Sequence, residues 1–524
     1  MLENNNSQIK VGAILTYAQM ILSVIVSIFY TRIMVKALGN SEYGLYNTVT
    51  STISMLLILS LGFSSSYIRY YAKYKHQADE KEKIAKLNGL FLLIFVVLGT
   101  IACLCGLFLT FNLHLVFSTG LTESEYALAK TLMILLTVNL TISFPMSVFA
   151  NIIAAHEKFI LLKSLNILRS VFTPLIAMAL LLLGYRSVAI VITTLAVSVF
   201  VDVVYMVYCF TKLKTRFSFF GFEKGLLKDL FIFTGFIAIN IVVDQINMNM
   251  DKVLLGRFKG TQVVAVYAIG NSLYIYYQQI SASISTLFTP KVHFIVNTFT
   301  GEEQREKLTD IFTKVARVQF LLLGLVFTGF VFFGRSFLNF WVGAGYEDAY
   351  WVMILLAFPA IVPLTQNVGI EVQRAENNHR FRSIVYLIMA LSNFVLTIFL
   401  AQLYGAIGAT VGTCISLILA NGIIINIYYH KKCNINIFAY WKNIGQMCLG
   451  LIIPAICGVL LMRFLPKGNI MLFFAGIVVY TCIYCLSVWF MAMNAYEKDL
   501  VKRTLSKVTS PFKKIFSKKH EKND

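Results

Sequence analysis

The chain has 524 residues, of which 58% are hydrophobic and only 13% charged, with a formal net charge of +20. That balance excludes an ordinary soluble protein and points to a chain that crosses a membrane many times. Nucleic acid is excluded as the reason for the charge, because Lys and Arg lie in short clusters between apolar runs, as the positive-inside bias places them.

The start, MLENNNSQIK, is polar, and the apolar run after it is too long for a signal-peptide core, so a retained first span is expected. About fourteen spans are predicted, each needing roughly 20 residues to cross. The first six are 11–35, 43–70, 87–111, 126–153, 164–184 and 187–210. After a basic loop come 230–255, 263–289, 311–334, 350–373, 383–403 and 406–429, and then 444–464 and 469–493. With both termini in the cytoplasm, roughly 34 of the 45 Lys and Arg fall on the cytoplasmic side and about 10 outside. The expected fold is an all-α polytopic membrane protein.

Sliding the chain by roughly 221 residues reveals a repeat. VKALGNSEYGLYNTVTS at 35–51 then lies over GRFKGTQVVAVYAIGNS at 256–272, with Lys36 on Arg257, Gly39 on Gly260 and Tyr46 on Tyr267. Nearly the same offset puts Pro145 near Pro363 and Gly184 on Gly405. A duplicated six-helix unit follows: an N-terminal lobe at 1–210, a cytoplasmic linker at 211–229 and a C-terminal lobe at 230–429. Helices 13 and 14 (430–493) are appended, and a basic cytoplasmic tail (494–524) ends the chain. Six is even, so both lobes run the same way and are related by a pseudo-twofold axis along the membrane normal.

The most informative span is the seventh. Asn240, Asp244, Asn247 and Asp251 are spaced by four, three and four residues, so an α-helix puts them on one face. Lipid does not solvate such a face, which must look into a bundle or a cavity. The repeat lays Gln19 and Ser23 of span 1 over Asn240 and Asp244, and span 8 adds Asn271 and Gln278 at helical spacing. Inter-helix hydrogen bonding in a static bundle is the alternative for these stripes. Arg32, Lys36 and Arg257 close spans 1 and 7 and suit an anionic group, although snorkelling to the interface also accounts for such helix-end cations. Asp244, Asp202 and Glu371 are candidates for coupling to H+ or Na+; Arg374 offers Glu371 a simpler i,i+3 partner.

No catalytic, nucleotide or metal motif stands out, so neither an enzyme nor a bound cofactor is expected. The nine cysteines lie mostly in apolar runs, Cys482 and Cys485 included, and the seven histidines lack metal spacing. The short outer loops disfavour a membrane polymerase.

TRIMVKALGNSEYGLYNTVTS followed by LSLGFSSSYIRYYAKY resembles the first two helices of polysaccharide-biosynthesis flippases of the Wzx type. MDKVLLGRFKGTQVVAVYAIGNSLY resembles their seventh and eighth, and EVQRAENNHRFRSIVYLIMALSNF with LYGAIGATVGTCIS their tenth to twelfth. The resemblance implies a member of the multidrug/oligosaccharidyl-lipid/polysaccharide exporter superfamily in a bacterial cytoplasmic membrane. It implies two lobes around a cavity and alternating access. The implied substrate is an undecaprenyl-pyrophosphate-linked oligosaccharide for O-antigen (lipopolysaccharide), capsule or exopolysaccharide. Membrane lipids, a polysaccharide polymerase and assembly proteins are the implied partners. A cation-coupled multidrug antiporter of the same superfamily and a lipid II flippase are the alternatives.

Overall fold

The computed structural model describes residues 2–503 and 506 apart from 76, 78, 119, 120, 223, 224, 377, 378 and 465–468. The lysine-rich tail beyond 506 lies outside the described residues. Among these residues there is no strand, because hydrocarbon leaves a crossing backbone no partner but its own next turn. The helices are α1 (Leu2–Met55), α2 (Phe63–Tyr74), α3 (Glu80–Phe111), α4 (Glu123–Ala155), α5 (Phe159–Leu182) and α6 (Ser187–Thr211). Then come α7 (Leu226–Gln245), α8 (Asp251–Lys259), α9 (Thr261–Ser285), α10 (Thr289–Thr298), α11 (Gly301–Trp341) and α12 (Glu347–Thr365). The last are α13 (Asn367–Ala375), α14 (His379–Leu417), α15 (Ile425–Lys432), α16 (Ile437–Leu449), α17 (Ile452–Phe464) and α18 (Ile470–Met491).

Nine stretches among the described residues are long and apolar enough to cross a membrane, or 11 when each bent pair is one span. Two of the nine, Ala18–Tyr74 and Arg380–Lys432, run for 57 and 53 residues and are broken at Gly39 and Gly405, so each holds two crossings. With α9, which is long enough at 25 residues but carries a polar face, the crossings match the predicted fourteen. Large apolar side chains point outward in rows: Val97, Leu104 and Phe108 line one face of α3 and are all exposed. In water such a surface would aggregate; in lipid it is solvated. The protein is a multi-pass membrane protein.

The breaks show the duplication in the backbone. Gly39 has φ 73° and ψ 177°; Gly260, its counterpart, has φ 84° and ψ 177°. The second matched pair, Gly184 and Gly405, also has positive φ, at 91° and 58°. A β-carbon would strain all four, so glycine is what lets one helix end and the next begin with almost no loop. Pro145 and Pro363 both lie inside helices, α4 and α12.

Contact density divides the chain into two compact units. Unit 1 is Met1–Tyr276, Trp341–Leu356 and His379–Ala420; unit 2 is Tyr277–Phe340, Ala357–Asn378 and Asn421–Asp524. The lobes expected at 1–210 and 230–429 follow the repeat, whereas these units follow contacts. In unit 1 an aromatic core joins α2, α3 and α4: Tyr67 meets Phe91 edge-on at 5.2 Å, and Phe63 meets Phe91 at 6.4 Å. The Tyr67 hydroxyl donates to Asn88 Oδ1 (2.7 Å), and the Asn88 amide donates to the Arg216 carbonyl (3.0 Å), so the buried polar atoms are satisfied in a chain.

Unit 2 holds a buried ion pair. Arg317 of α11 donates to both oxygens of Glu497, at 2.5 and 2.9 Å. It also donates to the Ala492 carbonyl (2.7 Å) and to Asn443 Oδ1 (3.2 Å). Removing one partner strands the other charge. Arg317→Ala should therefore lower the apparent melting temperature in detergent by several degrees, for a loss of about 3–5 kcal/mol. The double variant Arg317→Met, Glu497→Leu should recover most of it; equal losses in both would show that the ion pair is not the cause.

Candidate functional site

The seventh span is not a regular α-helix. Between α7 and α8 lies a π-turn, Ile246–Met250. Its i→i+5 bonds put an extra residue into the turn, which rotates everything beyond it by about 100° relative to an α-helix. The spacing that places four polar residues on one face therefore fails at the last of them. Asn240, Asp244 and Asn247 are exposed on the surface of unit 1, whereas Asp251 is buried, with 5% exposure. Asn240 accepts a hydrogen bond from Ser383 on α14 (3.0 Å).

Asp251 sits in a cage of hydroxyls. The Tyr267 hydroxyl donates to Oδ2 at 2.6 Å, the Thr413 hydroxyl lies 3.2 Å from the same oxygen, and Thr397 lies 3.4 Å from Oδ1. Asn393 closes the ring: its amide nitrogen is 3.2 Å from the Thr413 hydroxyl, and its carbonyl oxygen is 3.4 Å from that of Thr397. The backbone explains the convergence. Asn393 and Thr397 are one turn apart on the first limb of α14; the chain reverses at Gly405, and Thr413 returns on the second limb. Apolar side chains, Leu255, Val264, Leu356 and Ala409 among them, pack around Tyr267 and exclude water. A carboxylate in such surroundings is tolerable only when its oxygens are satisfied. With the hydroxyls turned round, the same atoms present a carboxylate, three hydroxyl oxygens and an amide carbonyl to a small hard cation.

The other candidates divide by environment. Asp202, 7% exposed, pairs with Arg169 at 2.9 Å, and Glu371 pairs with Arg374 at 2.7 Å. Gln19, Ser23 and Arg32 are half-buried on α1, and Lys36 is exposed. Ser23 turns its hydroxyl to the Met20 carbonyl (2.9 Å). Arg257 gives its guanidinium to the Leu115 carbonyl and takes the Ser118 hydroxyl on its own carbonyl. Asn271 is buried in unit 1; Gln278 belongs to unit 2. Sequence reasoning missed Asn393, Thr397 and Thr413. The signal was there in part, since Asn393 and Thr397 repeat the i,i+4 polar spacing that drew attention to Asn240 and Asp244.

The family described as polysaccharide biosynthesis protein matches residues 9–290, more than half of the chain. The protein belongs to that family. Its similarity to a Bacillus subtilis (strain 168) relative, the uncharacterized membrane protein EpsK, runs at 21% identity over 497 residues, 93% of this chain and 96% of the relative. Among solved structures, the lipid II flippase MurJ in an inward closed conformation matches with a TM-score of 0.69 at 16% identity, covering 94% of this chain and 99% of the flippase. A multidrug resistance MATE family transporter of the MOP superfamily, in its inward-facing conformation, matches with a TM-score of 0.60, also at 16% identity. That match covers 82% of this chain and 99% of the transporter. This member of the polysaccharide biosynthesis protein family thus carries the fold those transporters share.

The burial contrast makes a prediction. Asp251→Ala strips the acceptor from buried hydroxyls and should cost about 1–3 kcal/mol. Asp244→Ala removes an exposed side chain and should stay within about 0.5 kcal/mol. Thermal unfolding of the two purified variants compares them; equal losses would contradict the separation of Asp251 from Asp244.

Proposed function

We propose that the protein is a flippase that moves undecaprenyl-pyrophosphate-linked oligosaccharide repeat units across the bacterial cytoplasmic membrane by alternating access, with both termini in the cytoplasm. The observation that carries this reading is an apolar groove in unit 2. Leu325, Phe333 and Phe337 of α11 face Phe473, Ile477 and Tyr480 of α18 across a cavity of about 240 Å³. Gly329 and Gly334 supply the room on the α11 side. A long prenyl chain needs such a furrow if its head group is to enter the protein while its tail stays apolar. One wall belongs to α18, the predicted fourteenth span, beyond the twelve of the duplicated core. The lipid II flippase fold covers 94% of this chain and the multidrug transporter fold 82%.

In this reading Arg32 and Lys36 meet the pyrophosphate, and the amides of Gln19, Asn240, Asn247 and Asn271 meet the sugars. Energy enters through an ion gradient at Asp251, where the ring of oxygens suits Na+ and the carboxylate suits H+. Asp251 takes this role ahead of Asp244, which has no such ring, and ahead of Asp202 and Glu371, whose carboxylates hold arginines. The glycan product passes to a polysaccharide polymerase and its assembly proteins.

Depletion of the protein should abolish surface glycan and trap lipid-linked units on the cytoplasmic leaflet. Arg32→Ala with Lys36→Ala should reproduce this with the protein still inserted. Asp251→Asn should remove the dependence of transport on sodium or pH. Normal glycan with raised sensitivity to cationic drugs would instead favour the multidrug antiporter, and arrest of cell-wall synthesis would favour a lipid II flippase.

A further inference from the structure

We propose that the end of unit 1 marked by the Gly39 and Gly260 turns is a gate, and that Glu125 latches it. This rests on the transport reading above. Three segments distant in sequence meet there. Ser41, two residues past Gly39, donates its hydroxyl to the Glu125 carboxylate of α4. The same hydroxyl is 3.1 Å from that of Thr261, the residue after Gly260, and the Thr261 hydroxyl also bonds the Glu125 carboxylate, which ties Glu125 across to the second copy. Thr122 holds the other Glu125 oxygen through its N–H (3.0 Å) and its hydroxyl (2.9 Å), so the carboxylate is fixed before Ser41 arrives. Arg257 and the turn before α4 add a second tie, guanidinium to the Leu115 carbonyl and Ser118 hydroxyl to the Arg257 carbonyl.

Beneath these bonds the helices approach as closely as backbone allows. A β-carbon on Gly44 would overlap the Thr261 carbonyl and lie 3.2 Å from the Ala265 nitrogen. One on Gly256 would lie 2.5 Å from Thr48 Cγ2. Gly44 and Ala265 are also counterparts at the repeat offset of roughly 221 residues. Counterparts that face each other mark the place where the pseudo-twofold axis runs between the copies, as at an isologous interface. Two copies that rock about such an axis must part here to open this end. The ties across it are hydroxyls, carbonyls, one carboxylate and one guanidinium above close glycine contacts.

The opposite end is held by different chemistry. Gly62 takes the Ile237 side chain, Phe63 meets Phe231 edge-on at 5.5 Å, and the Arg69 guanidinium lies 4.1 Å from the centre of the Phe233 ring. Loosening Glu125 should therefore free one end and leave the other.

Thr48 is fully buried under the latch, and cysteine is close to it in size. In full-length protein in liposomes, Thr48→Cys should react slowly with a maleimide, the site being read by peptide mass spectrometry against the native cysteines. Adding Glu125→Ala should raise that rate about tenfold or more, the effect of losing a charge-assisted hydrogen bond on a two-state equilibrium. Gly44→Val should do the same by forbidding the close approach; if it does not insert, Glu125→Ala decides alone. A disulfide between Ser41→Cys and Thr261→Cys should stop transport of the lipid-linked unit, and a reductant should restore it. Unchanged labelling in the inserted variants, or full transport by the disulfide-locked protein, overturns the gate. The labelling does not depend on the cargo. Faster labelling with glycan unaffected by depletion therefore keeps the gate and removes the flippase reading.

Discussion

Hydrocarbon offers a polar atom no partner, and this constraint organises the protein. It makes the crossing segments helical and lets apolar side chains face outward. It also requires every charge within a span to carry its own solvation. Arg317 does so with Glu497, Asn443 and a carbonyl; Arg169 does so with Asp202 and the Ser198 carbonyl; Asp251 does so with hydroxyls alone. The difference matters. An arginine-paired carboxylate is already neutralised and has little reason to take up or release an ion, whereas a hydroxyl-ringed one has no fixed counter-charge in its ring, and its neighbours can either donate to it or turn their oxygens to a cation.

What was legible in the sequence follows from how local each signal is. The spans are written in runs of apolar residues, and the helix breaks in glycines a fixed offset apart, of which Gly39 and Gly260 adopt nearly the same φ and ψ. The polar character of the seventh span was equally plain. What spacing did not reveal is the π-turn at Ile246–Met250, because a shift from i→i+4 to i→i+5 bonding leaves no mark in composition. That single turn separates Asp251 from the face it shares on paper with Asn240, Asp244 and Asn247. The partners of Asp251 were hidden for a different reason: Asn393, Thr397 and Thr413 lie well over a hundred residues further on, and only the reversal at Gly405 brings two limbs of α14 to one carboxylate.

The repeat supplies symmetry, and the chemistry breaks it. Both copies turn at the same glycines, yet the first has Tyr30 where the second has Asp251, and Ser23 where the second has Asp244. A duplicated scaffold keeps its backbone because the turns demand glycine, while side chains on the inner faces are free to diverge once one copy alone carries a function. The acid cage belongs to the second copy only. The cations at the ends of the first and seventh helices occur in both, but Arg257 spends its guanidinium on the Leu115 carbonyl, whereas Lys36 stays exposed. Equivalent positions have thus been put to unequal use: the first copy leaves its charge exposed, and the second uses its own to tie a turn.

Asp251 begins α8 immediately after the π-turn, and the same short helix ends at Gly260, beside the close contact of Gly256 with Thr48 and of Thr261 with Gly44. This helix of nine residues is bounded at one end by the caged acid and at the other by a glycine turn. The π-turn is the place where it can swing, since one hydrogen-bond register exchanged for another lets the helix rotate without unfolding. In the ion-coupled reading proposed above, occupancy of the Asp251 ring by a cation or a proton would change what Thr397 and Thr413 hold. Any rotation this produces is delivered less than three helical turns away, at the point where the two copies touch.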